Sequence, residues 1–380
     1  MRRKASSDAA MNVTRKADRE RGGWGAGISG VTAGLSLFLA WLAERRYRRL
    51  PPFPAELPAG PLPSLSIVIP ARNEAHNLPR LLRSLHDLCY DGPLEIIVVD
   101  DGSGDNTADV AESYGARVLR LPGPPPGWSG KAYACHRGAA LAQGEWLLFT
   151  DADTVHTPTG PARAVALAQA EGWDGLSLFL ANESQTIAVR LALMVAHAGY
   201  FAGLGDSRGA LNGQYVLLHR RVYKSSGGFA AVRREITEDL ALGHLLAEQG
   251  YHVPLLRGDD AGQVHMYRDV RQMWLGLARF AVTSLRWSGT GSLLAVLYTI
   301  VLAAPLELLL AATVRRQPRW PVLATWLAAA AGLFPWARRF GGGLWAGLAP
   351  LGALLVQFAA IWGILQRLAG RGVRWKERVL

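Results

Sequence analysis

Five carboxylates stand directly behind short apolar runs of this chain. Glu74 follows residues 65–70 (LSIVIP), Asp100 and Asp101 close the run that starts at residue 94 (LEIIVVDD), and Asp151 and Asp153 follow 145–150 (EWLLFT). Each group has an ordinary reading: Asn73 and Glu74 can begin a helix, Asp-Gly-Ser is turn chemistry, and acids suit helix N-termini. Gathered at one edge of one sheet, however, five carboxylates repel unless a cation or hydrogen-bond donors compensate. Asp151-Ala152-Asp153 offers two hard oxygen ligands on a short turn, suited to Mg2+ or Mn2+ that also binds phosphate oxygens. Lys131, one of five lysines in the chain, sits in the Gly/Pro-rich stretch 123–131 (GPPPGWSGK), where it can neutralise a diphosphate.

Spacing excludes two other nucleotide loops. A Walker A loop ending at Lys131 needs glycine at Pro125 and Ser or Thr at Ala132. Residues 102–107 (GSGDNT) lack the third glycine of a dinucleotide fingerprint, and two aspartates stand where a pyrophosphate must approach bare backbone.

The elements that must position these residues alternate along the chain. Residues 65–70, 94–100, 116–121 and 145–150 read as strands, with helical spacing over 75–88, a helix through about Tyr114, and another over 131–142. Strands apolar on both faces and joined by helical crossovers predict an α/β domain with a mostly parallel sheet covered by helices on both sides. Ligands of such sheets bind at the carboxyl ends of the strands, where the carboxylates fall.

Taken together, IPARNEAHNL, VVDDGSGDNTADVA, GWSGKAYACHRGAALAQGEWLLFTDAD and ITEDLALGHLL resemble glycosyltransferase family 2, whose members have the GT-A nucleotide-sugar-binding fold. The resemblance covers roughly residues 64–285 and is nearest to membrane enzymes that glycosylate carotenoid acids and to hopanoid-associated glycosyltransferases. It implies that Ala71, Glu74 and Asp101 contact the uridine half of a UDP-sugar donor. It further implies that Lys131 and Asp151 lie along the ribose-diphosphate, that Asp153 joins Asp151 on a Mg2+ or Mn2+ ion, and that Asp239 is the catalytic base. Local physics allows the last role: Thr237 can cap a helix running to Gln249, leaving Glu238 and Asp239 in its first turn, where the dipole favours an ionised acceptor of protons. Asn212-Gly213-Gln214 and Gly227-Gly228-Phe229 fall where the family builds its sugar and acceptor pocket. His265, near a strand end, is either a further metal ligand or an ordinary histidine.

Outside this span the chain reads as membrane. A basic tail (1–23, expected disordered) precedes an uncharged anchor (24–43) and an Arg/Pro-rich linker (44–63) whose stretch Pro51–Pro63 holds six prolines and reads as stiff and extended. Arg45, Arg46, Arg48 and Arg49 stand where a signal cleavage site needs small residues, so the anchor reads as uncleaved. The catalytic domain is expected over 64–265, an amphipathic interfacial segment over 266–290, C-terminal transmembrane helices over 291–366 and a basic tail over 367–380. Of the three apolar runs in the helical region, 320–336 is short enough to be re-entrant. Glu307 inside the first run is expected to be neutralised against a neighbouring helix. The net charge of +11 beside apolar helices suits anionic headgroups, and no zinc-finger or RNA-binding signature points to nucleic acid. Two cysteines, Cys89 and Cys135, make no disulfide framework, consistent with a cytoplasm-facing domain at the inner membrane.

The reading that results is a multi-pass, inverting transferase that places a single sugar on a lipid-like acceptor such as a carotenoid acid or hopanoid. A processive polysaccharide synthase is the nearest rival, but the Gln-x-x-Arg-Trp signature of such enzymes is missing from residues 267–274 (YRDVRQMW). A membrane transporter with a nucleotide-binding domain is the rival from another class, and it has no use for Asp239.

Overall fold

The computed structural model describes residues 27–56, 60–184, 186–205, 208–284, 289–314, 319–371, 374–375 and 378–379. The basic segment 1–23 lies outside the described residues, and the tail 367–380 is described only in part. The chain divides into two compact units, one of Tyr47–Thr186, Leu204–Trp287 and Trp362–Leu380, the other of Met1–Arg46, Ile187–Gly203 and Ser288–Ile361.

After a first helix, α1 (Gly27–Arg49), the sheet unit begins as the apolar runs predict: β1 (Leu65–Ala71), α2 (Leu78–His86), β2 (Leu94–Asp101), α3 (Thr107–Ser113), β3 (Arg117–Leu121), α4 (Gly130–Leu141) and β4 (Trp146–Thr150). It continues through β5 (Thr154–His156), α5 (Gly160–Ala170), β6 (Gly175–Asn182), α6 (Ile187–Gly203), β7 (Tyr215–His219), α7 (Arg220–Ser225), α8 (Gly228–Ala231), α9 (Glu238–Glu248) and β8 (Leu255–Val264). The strand order is β3-β2-β1-β4-β7-β6-β8-β5. Pairing is parallel from β3 to β4, but β7 runs antiparallel to both β4 and β6, and β5 antiparallel to β8. The sheet is therefore mixed: a parallel half is joined through antiparallel β7 to the parallel pair β6 and β8, with β5 antiparallel at the edge.

Strand alternation assigns the core. Leu65, Ile67 and Ile69 of β1 join one cluster with Leu78, Leu81, Leu82 and Leu85 of α2 and Val165 of α5. Val68 joins the cluster on the other face, with Ala132, Cys135 and Ala139 of α4 and Leu242 and Leu246 of α9. Each buried Leu, Ile or Val contributes about 1.5–3 kcal/mol of transfer free energy. α4 lies close to the sheet because its residue 138 is glycine: a Cβ there would fall 2.4 Å from Val68 Cγ1.

The proline stretch is not a free spacer. Phe53 is 5% exposed and belongs to the core of the sheet unit. Arg163 of α5, itself buried, donates to Pro54 O at 2.9 Å and Ala55 O at 3.2 Å and stacks over the Phe53 ring. Arg257 of β8 exchanges backbone hydrogen bonds with Pro51 and Phe53, and Tyr47 Oη donates to the Asp259 carboxylate. Proline supplies no N–H, so Pro51 and Pro54 dock through their carbonyls onto arginine donors, while Phe53 donates its N–H to the Arg257 carbonyl.

The second unit holds α6 and helices α11 (Gly289–Val314) and α12 (Trp320–Arg339), reached after α10 (Val270–Ser284) of the sheet unit, and most of α13 (Ala349–Leu368). Four helices are long and apolar enough to cross a membrane by length and composition: Gly27–Arg49, Thr290–Val314, Trp320–Arg339 and Gly343–Leu368. The middle C-terminal run, expected to be short, extends to 20 residues. Arg339 makes a bidentate ion pair with Glu44 at 2.8 and 2.9 Å. Contrary to expectation, Glu307 is exposed, and no ion pair neutralises it among the described residues. The packed side of α11 carries Tyr298, Val301, Leu302 and Pro305, and at 3.6 residues per turn Glu307 falls nearly opposite Pro305.

Candidate active site

The loops after β1 and β2 are laced together. Asn73 adopts φ 51°, a left-handed conformation that asparagine tolerates better than most residues. Its N–H donates to Ser103 Oγ at 2.9 Å, and its Oδ1 accepts from Gly104 N at 2.8 Å. Arg72 donates to the carbonyls of Asp101 and Gly102, and Glu74 N donates to Thr107 Oγ1 at 2.8 Å. The turn from Glu74 to Asn77 delays α2 to Leu78, later than the helical spacing from residue 75 predicts. Strand register sets Ala71 beside Asp100. Asp100, Asp101 and Glu74 are all buried here; Asp100 accepts from Ser103 N at 3.0 Å, and the Glu74 carboxylate accepts from Asn77 Nδ2 at 2.7 Å.

Beside them, at the end of β4, a second cluster assembles around Lys131. Its Nζ lies 2.7 Å from Asp151 Oδ1 and 3.1 Å from Glu238 Oε1. Asp239 faces the same ammonium and accepts from two peptide groups, Gly213 N to Oδ2 at 2.8 Å and Leu240 N to Oδ1 at 2.9 Å. Burial alone would lower the pKa of Lys131, but Asp151, Glu238 and Asp239 outweigh it and hold the ammonium well above its ordinary value. Burial raises the pKa of Glu238, with Lys131 opposing. Thr237 Oγ1 makes no cap: it is buried with no hydrogen-bond partner, and α9 starts without a side-chain cap.

Residues 212–214 tie the two halves of this cluster. Thr150 Oγ1, next to Asp151, donates to Gln214 O at 2.9 Å, while Gly213 holds Asp239. Since the hydroxyl proton is used on Gln214, His156 Nε2 is the donor in its 3.1 Å contact with Thr150 Oγ1. The other expected pocket motif lies in the core instead. Phe229 packs 5.0 Å from the Phe149 ring, and a Cβ on Gly228 would strike the Tyr223 ring.

Asp153 ends the turn after β4, and its carbonyl accepts from His265 N at 3.0 Å. His265 Nε2 lies 3.1 Å from Glu183 Oε2, and Nδ1 is buried with no hydrogen-bond partner. Burial, then the charge of Arg80, lowers its pKa, with Glu183 opposing. Among the described residues no set of three or more His, Cys, Asp or Glu side chains is disposed to hold a metal by itself. That fits an Mg2+-type site, which takes one or two carboxylates and completes its shell with substrate phosphates and water. One ammonium facing Asp151, Glu238 and Asp239 leaves the cluster negative, so a diphosphate needs a further cation to enter.

Of the residues singled out from sequence, Lys131, Asp151 and Asp239 stand together, Asp153 is on the same turn as Asp151, and Ala71, Glu74 and Asp101 occupy the neighbouring strand ends. The residue missed is Glu238, which touches Lys131 directly.

The family model described as Glycosyl transferase family 2 matches residues 66–240. The 4,4'-diaponeurosporenoate glycosyltransferase of Staphylococcus aureus (strain MRSA252) is 31% identical over 219 residues, 54% of this chain and 57% of that protein. The match thus spans little more than half of the relative. A mannosyltransferase from Pyrobaculum calidifontis, solved in complex with GDP-Man and Mn2+, has a TM-score of 0.51 at 16% identity, covering 89% of this chain and 98% of that one. At that identity the likeness shows the fold, which is GT-A. A mixed sheet with this strand order and carboxylates along its edge thus coincides with the stretch, residues 66–240, that matches the Glycosyl transferase family 2 model.

Proposed function

We infer that the chain is a membrane-bound, inverting glycosyltransferase that moves a single sugar from a UDP-sugar to a lipid-like acceptor. The observation that carries this is the Lys131–Asp151–Glu238–Asp239 cluster in a chain with four helices long and apolar enough to cross a membrane. Ala71, Glu74 and Asp101 receive the uridine half of the donor. Asp151 and Asp153 would hold Mg2+ or Mn2+, and the ion when bound would supply positive charge to the donor diphosphate.

In the reaction an acceptor oxygen forms a bond to the anomeric carbon from the side opposite the diphosphate. The bond from that carbon to the diphosphate oxygen breaks, and the electron pair leaves with the nucleotide. Lys131 faces the charge that develops there. Asp239 takes the acceptor's proton, with both oxygens steadied by peptide N–H groups and a lone pair left on each. A carboxylate acceptor arrives without that proton, and Asp239 then only orients it.

The membrane helices keep the enzyme where an apolar acceptor resides, with the catalytic domain at the cytoplasmic face of the inner membrane. The name of the staphylococcal relative favours a carotenoid acid, and a hopanoid has the same amphipathic form. The absent synthase signature at residues 267–274 favours one sugar over a polymer. The test is Asp239→Asn in the full-length protein. Donor binding should stay near normal while turnover at saturating donor falls roughly 10²–10⁴-fold. Lost donor binding with unchanged saturated turnover would remove the base assignment.

A further inference from the structure

Glu238 is buried, touches Lys131 and has no assigned part in the reaction. The ammonium has three protons and two carboxylate contacts, Asp151 Oδ1 at 2.7 Å and Glu238 Oε1 at 3.1 Å. The third carboxylate, Asp239, is within easy reach but makes no ion pair with Lys131. Both Lys131 Nζ and Asp239 Oδ2 lie over the same face of Gly213, at 2.9 and 3.0 Å from the point where a Cβ would stand. Among the described residues Asp239 instead takes peptide N–H groups, from Gly213 and Leu240.

The geometry points to Glu238 as a positioning residue that holds the Lys131 ammonium off Asp239. An ammonium seated on Asp239 would cover the lone pair that accepts the acceptor's proton and would weaken the base. The hold matters most when donor binds. Asp151 would then be drawn to the metal ion, and Glu238 would be the carboxylate that keeps Lys131 in place. Adjacent in sequence, Glu238 and Asp239 thus have opposite tasks: one binds the cation, and the other is kept clear of it. This inference rests on the reading of Asp239 as the base.

The test is Glu238→Gln, which keeps the shape of the buried side chain and removes its charge. An experimental structure of this variant should show Lys131 Nζ within about 4 Å of an Asp239 oxygen, the distance of an ion pair. Purified full-length variant, assayed with labelled UDP-glucose and lipid extract from the source cells, should lose roughly ten-fold or more in saturated turnover. That loss falls short of the 10²–10⁴-fold for losing the base itself. Its donor KM should change less than its turnover. In a Lys131→Met background, where there is no ammonium to hold, the same change should cost less than about two-fold.

Lys131 remaining on Asp151 in the variant structure, or an equal loss with and without Lys131, overturns the inference. Parallel assay of Asp239→Asn separates the two levels. If that variant is inactive while Glu238→Gln keeps wild-type turnover, only the role of Glu238 falls. If Asp239→Asn turns over normally, the base assignment falls first.

Discussion

The peptide N–H of Gly213 donates to Asp239 Oδ2 at 2.8 Å, so the residue proposed as base is aimed by a backbone group on the segment leading into β7. A methyl at position 213 would stand 2.9 Å from Lys131 Nζ and 3.0 Å from Asp239 Oδ2. The backbone there is not left-handed, so alanine is conformationally allowed, and only the two functional groups must move. Gly213→Ala should lower turnover by on the order of 10²-fold, with a melting temperature within a few degrees of wild type. Kinetics at saturating donor alongside thermal melts check this; a variant with full turnover would show that the contact is incidental.

Loss of the metal should act on donor binding as well as on turnover. Asp153→Asn is expected to abolish transfer and weaken nucleotide-sugar binding, because the diphosphate loses the cation that offsets the negative cluster. Calorimetric titration of UDP-glucose with and without Mn2+ measures this. Full activity in chelator would remove the metal-dependent mechanism.

The parts that were legible in sequence were those written in continuous apolar runs. β1, β2 and β4 are largely buried and read directly from their β-branched and aromatic residues, with the carboxylates after them, whereas β3 leaves Arg117 and Arg120 exposed. β5 is three residues long, and β8 carries Arg257, Asp259 and Asp260, so neither shows the period of a strand. α6 reads as an apolar helix, but sequence alone does not tell that it groups with residues 1–46 and 288–361 rather than with the strands on either side. The contact of Glu238 with Lys131 joins residues far apart in the chain, and no local pattern records it.

The docked proline segment gives a prediction about stability. Arg163→Met would leave the carbonyls of Pro54 and Ala55 without their donor, remove one of two donors to the Asp260 carbonyl and remove the ion pair at 3.3 Å to the Asp260 carboxylate. Breaking a buried charged network of this kind costs about 2–4 kcal/mol. A lower melting temperature and new protease cleavage between Pro51 and Ala55 are expected. An unchanged cleavage pattern would mean that the segment is held by Phe53 and Arg257 alone.

His156 makes the sheet unit sensitive to acid. Burial pushes its pKa down to about 4 from the ordinary 6.5. Between these values the unfolded chain binds a proton that the folded chain refuses, so this contribution is complete above about pH 6.5 and is lost as pH falls toward 4. Its full extent is roughly 3 kcal/mol. Thermal melts from pH 7 to pH 4 should show a decline that is shallower in His156→Gln, and parallel curves would contradict the assignment.

The most direct test of the whole account follows the sugar. Purified protein in liposomes of source-cell lipid is given labelled UDP-glucose and Mn2+, and the organic phase is separated and analysed. The account predicts label in a lipid product bearing one sugar, and none with Asp239→Asn. Label confined to water-soluble sugar, or spread through a polysaccharide ladder, would contradict it.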